Sequence, residues 1–156
     1  MQRNLDAIDK KLLSELQRNG RISVVDLASR VNLTKTPCSE RVKKLEVSGV
    51  ISGYCAHVDA AKVHQNHVTI VHVIMAQSNG SAYESFCEAV RSIPEIQSCM
   101  MIAGSFDYML KVRTRDITEF RSLLGRKISK LPNIEKTHSF TVLETVKDSD
   151  FIDVTI

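Results

Sequence analysis

The sequence predicts an α+β chain of two domains, with three short helices in about the first fifty residues and a β-α-β-β-α-β sheet domain after them. Three observations lead there. Apolar residues recur at helical spacing as far as Gly49. The period then shifts toward strands. Between Val68 and Val146, two helix-length runs alternate with strand-length runs, each helical run stopping close to a proline.

In the first domain, Asp6 is the expected N-cap of a helix carrying Ile8, Leu12, Leu13 and Leu16 inward, and Asn19-Gly20 stops it. Ser23-x-x-Asp26 is a shortened capping box, and Val24, Leu27, Ala28 and Val31 share one face of a brief second helix. The turn Asn32 to Lys35 places Leu33 between helices two and three. For the third helix, Thr36 is the expected N-cap, Pro37 the first helical residue and Gly49 the stop. Cys38, Val42 and Leu45 then form a buried stripe, with Thr36, Ser39, Glu40 and Lys43 on the opposite face.

That third helix fits two readings, a solvated surface helix or the recognition helix of a helix-turn-helix. The short second helix favours the latter, as does the charge distribution. Residues 1–50 hold ten Lys and Arg against six Asp and Glu, whereas the remainder holds eleven against twelve. The positive potential resides where DNA would be met.

After Gly49, Val50 to Asp59 is rich in β-formers and Ala60 to Asn66 reads as a turn or hinge. Strands are expected over Val68–Gln77, Ile96–Ala103, Phe106–Thr114 and Ile134–Val146. Helices are expected over Tyr83–Ile93, capped from Ser81 and carrying Phe86, Val90 and Ile93 inward, and over Asp116–Lys130, carrying Ile117, Phe120, Leu123, Leu124 and Ile128. Gly104-Ser105 signals a hairpin. The resulting division is a helix-turn-helix domain at 1–52, a strand and hinge linker at 53–66, and a ferredoxin-like βαββαβ domain at 67–156. Val71, Val73, Met100 and Ile102 supply apolar side chains to both faces of the sheet. Helices cover only one face, so a dimer at least is expected. Phe151 to Ile156 alternates weakly, in the manner of an edge strand.

Other classes find little support. The longest apolar run, Thr69 to Ala76, is far short of a membrane span and contains His72; the N-terminus has no apolar signal region, so a cytoplasmic location is expected. Cys38, Cys55, Cys87 and Cys99 form no C-x-x-C pair. His64, His67 and His72 run from a hinge into a strand, where His67 and His72 point to opposite faces. No metal, cofactor or catalytic triad is expected, and the chain does not read as an enzyme.

Leu5-Asp6-x-x-Asp9-x-x-Leu12-Leu13, Thr36-Pro37-Cys38-x-x-Arg41-Val42-Lys43-Lys44-Leu45-Glu46-x-x-Gly49-Val50-Ile51 and Ala103-Gly104-Ser105-Phe106-Asp107-Tyr108 together resemble, over essentially the full length, the Lrp/AsnC (feast/famine) family of transcriptional regulators. The resemblance implies winged helix-turn-helix units on double-stranded DNA, dimerisation through the second domain, assembly toward an octamer, and an amino acid bound between subunits. It places effector contacts at Gly104, Ser105, Phe106 and Asp107, and pocket or response positions at Ile117, Phe140, Thr141 and Val142. Phe140 and Thr141 stand where the leucine regulator has tyrosine and valine, so the effector need not be leucine. His64 stands where the family often has glycine.

On DNA, the expected groove-facing residues are Lys35, Thr36, Ser39, Glu40 and Lys43, with Arg41 and Lys44 on phosphates or in ion pairs. Glu40 has a competing role as the i,i+4 partner of Lys44. For the effector, Gly104 lets backbone amides approach a carboxylate while Asp107 holds the ammonium; the competing roles are a plain hairpin turn and a turn-capping carboxylate. An alternative without an amino-acid effector is a thiol-based redox sensor at Cys38, near the dipole of the third helix.

Overall fold

The computed structural model describes residues 4–77 and 79–154. Ser78 of the expected loop and residues 155–156 of the expected terminal strand lie outside them.

Helix α1 (Ala7–Arg18) begins where the Asp6 carboxylate accepts the Asp9 amide. Helix α2 (Val24–Arg30) begins on Ser23, whose Oγ accepts the Asp26 amide at 3.1 Å and donates to Asp26 Oδ2 at 2.6 Å. Helix α3 (Lys35–Val47) starts two residues earlier than expected. Its N-cap is Thr34, with no side-chain cap bond, which moves Thr36 and Pro37 inside the first turn. Proline is tolerated there because the first-turn amides have no intrahelical acceptor to lose. Gly49 ends the helix at φ +74°, in the left-handed region where a side chain is strained, and Ile51 N–H closes back onto Leu45 O at 3.1 Å. Leu12, Leu13, Leu27, Ala28, Val31, Cys38 and Leu45 are buried together, with Leu33 and Val42 packed against them.

The run of β-formers after Gly49 does not become a strand. Tyr54 and Val58 are exposed, and among the described residues no strand lies between Val47 and His67. A strand needs a partner for its backbone, and β-propensity alone does not provide one. The segment after that run is a turn, as expected, in which Asp59 Oδ1 accepts the Ala61 amide, His64 N–H donates to Ala61 O, and His64 takes φ +55°.

In the second unit, β1 (His67–Met75) lies at the centre of a four-stranded antiparallel sheet, order β2-β3-β1-β4. The others are β2 (Ile96–Met101), β3 (Tyr108–Thr114) and β4 (Ile134–Thr141), so the end of β2, the start of β3 and the end of β4 are shorter than expected and the β2–β3 connection is longer. Helix α4 (Gly80–Arg91) is capped by Asn79 and not by Ser81: the Asn79 side chain accepts the Ala82 amide. Helix α5 (Ile117–Arg126) is capped by Asp116 and followed by a 3-10 turn, Ile128–Lys130. Val71, Val73, Leu110 and Val112 face Phe86, Val90, Phe120, Leu123 and Ile128 in one core. Ile117, expected inward, is 55% exposed because the apolar stripe of α5 begins at Phe120.

The compact units are residues up to His57 together with those from Lys147 onward, and Val58–Val146. By this division the tail groups with the helical unit, whereas the expected second domain, 67–156, includes it. Among the described residues no helix is long and apolar enough to cross a membrane.

Candidate functional site: a DNA-reading helix and an effector loop

Lys35, Thr36, Ser39, Glu40 and Lys43 are all exposed on α3, whereas Cys38 and Leu45 are fully buried. At 100° per residue, Thr36, Ser39, Glu40 and Lys43 fall within about one quadrant opposite the buried stripe. Asn32, at φ +56°, turns the chain from α2 into α3, and Leu33 N–H donates to Ala28 O at 2.9 Å. This is a left-handed position that asparagine tolerates better than most residues. Val47, 80% exposed, continues the same face and borders a shallow recess with Glu40, Lys43, Lys44 and Ser48. Sequence reasoning missed it because a valine outside the buried stripe looks like noise; its methyls are suited to a thymine methyl.

Arg41 departs from this face. Its Nη1 lies 2.6 Å from Asp6 Oδ2 and 2.9 Å from Asp9 Oδ1, which is the ion-pair role of the two expected for it. These partners push the guanidinium pKa up. The Asp6 carboxyl is held below its ordinary range, first by the Asp9 amide and then by Arg41. Among the described residues Glu40 and Lys44 form no ion pair, which leaves Glu40 turned to solvent. Cys38 is fully buried and burial raises its thiol pKa, the opposite of what a reactive thiolate needs.

The loop in which effector contacts are expected, residues 102–107, joins β2 to β3. Ile102 N–H donates to Asp107 O at 2.8 Å and Asp107 N–H to Val73 O at 2.9 Å. Asp107 Oδ2 accepts the Met75 amide at 2.8 Å, beside the place where the β1–β4 register shifts between Ile74 and Met75. Asp107 thus does cap backbone, through one oxygen. Gly104 and Ser105 are exposed at the tip, and a Cβ on Gly104 would meet only Ile102 Cγ2 at 3.6 Å, so the turn itself does not demand glycine.

On the sheet face away from the helices, His72 stacks on Phe106 with ring centroids 3.7 Å apart and meets Phe140 at 4.8 Å. His72 pairs with His138 across β4 and with Met109 across β3. His72 therefore joins two of the expected effector residues; strand alternation alone places it on this face but not against either ring. The remaining residues do not converge. Thr141 pairs with Thr69, Val142 N–H donates to Val68 O at 2.9 Å, and Ile117 follows Thr114, which pairs with His67. All three lie toward the start of β1. The 102–107 loop is tied to its end at Val73 and Met75, about 20 Å away at 3.3 Å per residue.

Residues 5–46 match the AsnC-type helix-turn-helix domain and residues 68–151 the Lrp/AsnC ligand binding domain. The chain belongs to the Lrp/AsnC family. Members are transcriptional regulators and not enzymes, and the two matched domains assign DNA binding to the first unit and a small-molecule ligand to the second. Among relatives of this family member, the leucine-responsive regulatory protein of Haemophilus influenzae is 43% identical over 95% of this chain and 89% of its own. The proline dehydrogenase transcriptional activator of Rhizobium radiobacter is 44% identical over 94% of each. A transcriptional regulator of Neisseria meningitidis, solved as its L-Met complex, superposes with a TM-score of 0.89 at 31% identity, covering 94% of this chain and 95% of that one.

Proposed function

We propose that this regulator is an amino-acid-responsive, homo-oligomeric DNA-binding protein that takes a free amino acid between subunits of its second domain. The observation that carries this reading is the separation of the effector residues. Gly104, Ser105, Phe106 and Asp107 sit toward one end of β1, and Ile117, Thr141 and Val142 toward the other. A free amino acid is far smaller than that gap, so one ligand meets both groups only where copies adjoin. The Neisseria relative solved with L-Met supports the ligand class.

The open sheet face supports the dimer. Ile70, His72, Met100, Phe106 and Phe140 leave apolar and aromatic surface away from the helices, which a second copy would cover. Assembly of such dimers toward an octamer then creates the further junctions at which a ligand is shared. Asp107 Oδ1 is directed to the ammonium, Gly104 and Ser105 backbone amides to the carboxylate, and Phe140, Thr141, Val142 and Ile117 sort the side chain by size. Lys35, Thr36, Ser39, Glu40 and Lys43 read or grip DNA in the cytoplasm. Regulation follows if the amino acid binds one assembly state better than another, since equal affinity shifts nothing. The redox alternative at Cys38 has the burial of that thiol against it.

Calorimetry against the twenty amino acids, paired with sedimentation, is the test. One or a few amino acids should bind and shift the sedimenting species. No binding by any of them, or binding by a species that stays monomeric, would overturn the reading.

A further inference from the structure

Two consecutive residues of the 102–107 loop, Phe106 and Asp107, are held by one short stretch of β1. Asp107 is fixed by hydrogen bonds at the base of the loop: its amide donates to Val73 O at 2.9 Å, its Oδ2 accepts the Met75 amide at 2.8 Å, and its carbonyl accepts the Ile102 amide at 2.8 Å. Beyond that base the ties are few. Among the described residues, Ala103, Gly104 and Ser105 are exposed and make no hydrogen bond. Phe106 is the only large side chain among residues 103–106, and its ring lies on the imidazole of His72, centroids 3.7 Å apart and planes 12° apart. No ring pair among the described residues is closer. The anchor under Phe106 is itself firm. His72 lies in the central strand, paired with Met109 on one side and His138 on the other, and its ring also meets Phe140 of β4 at 4.8 Å.

We propose that His72 is a positioning residue for the effector: its ring holds Phe106 on the sheet and so presets Gly104, Ser105 and Asp107 to receive an amino acid. The role rests on the amino-acid reading above and gives His72 no ligand contact of its own. A loop that must be ordered on binding weakens the ligand by the fraction of molecules not already in the receiving arrangement. Stacking needs a flat ring and not the imidazole nitrogens. Phenylalanine should therefore replace histidine, whereas leucine, apolar but without a ring face, should not.

The test uses the full-length protein, calorimetry against the twenty amino acids, sedimentation, and hydrogen exchange without ligand. His72→Ala and His72→Leu should bind the amino acid found for the wild type about fivefold more weakly, at wild-type sedimentation, while the Asp107 amide exchanges faster. His72→Phe should stay within about twofold of the wild type. Because the effect runs through the stack, His72→Ala should cost no more than about twofold further in a Phe106→Ala background. Wild-type affinity in His72→Ala would overturn the proposal. So would a loss in His72→Phe equal to that in His72→Ala, or an undiminished loss in the Phe106→Ala background. A changed sedimenting species with unchanged Asp107 exchange would assign His72 to the contact between copies and overturn it as well. No binding of any amino acid by the wild type would overturn the amino-acid reading, and this role with it.

Discussion

Arg41 Nη1 reaches Asp9 Oδ1 at 2.9 Å across the first unit, and Asp9 is 2% exposed. A carboxylate that deep requires its counter-charge. Arg41→Ala should therefore lower the melting temperature of the first unit clearly more than Lys44→Ala, whose side chain is exposed, as read by circular dichroism of the full chain.

Acid should undo part of the same network. The Asp6 carboxyl has its folded pKa below its unfolded one, so its contribution is complete above the unfolded value and disappears as pH falls through the folded value. The difference in melting temperature between the wild type and Asp6→Asn should be constant from pH 7 down to about pH 5 and shrink below about pH 4. A gap that persisted at pH 2 would refute the assignment.

His64 occupies a left-handed backbone position, φ +55°, within the 60–64 turn. A side chain there costs about 1 kcal/mol that glycine avoids. His64→Gly should stabilise the chain by up to that amount, partly offset by the greater freedom of glycine in the unfolded state. Denaturant melts should show a higher midpoint at an unchanged slope.

Lys43 is exposed on the face of α3 proposed to meet DNA, whereas Arg41 is ion-paired. Lys43→Ala should weaken binding to all duplexes alike and reduce the slope of log K against log salt by about one. Affinity equal to wild type at both low and high salt would remove Lys43 from the interface.

Asp107 has one oxygen on the Met75 amide. Asp107→Asn keeps a carbonyl for that amide and removes the charge proposed to hold the ammonium. It should fold as the wild type does and lose about tenfold or more in amino-acid affinity by calorimetry. Undiminished binding would leave Asp107 a capping residue only.

The helices of the first unit were readable in advance because their signals are local. Asp6 and Ser23 cap as their positions predict, and the Cys38, Val42, Leu45 stripe faces the core. Boundaries shifted where neighbouring residues compete for the same role: Thr34 over Thr36 and Asn79 over Ser81. The Val50–Asp59 strand failed because propensity describes a residue and pairing requires a second backbone.

Sequence by itself determined the α+β order, the sheet-with-helices plan and the face of α3 that meets solvent, since periodicity and caps are properties of consecutive residues. Tertiary structure alone decided what depends on residues distant along the chain. It committed Arg41 to Asp6 and Asp9, gave one Asp107 oxygen to Met75, set His72 between Phe106 and Phe140, and laid Ile152 against Gln17. Partners such as Gln17 and Ile152, 135 residues apart, leave no periodic trace, because their meeting is fixed by how the elements between them pack.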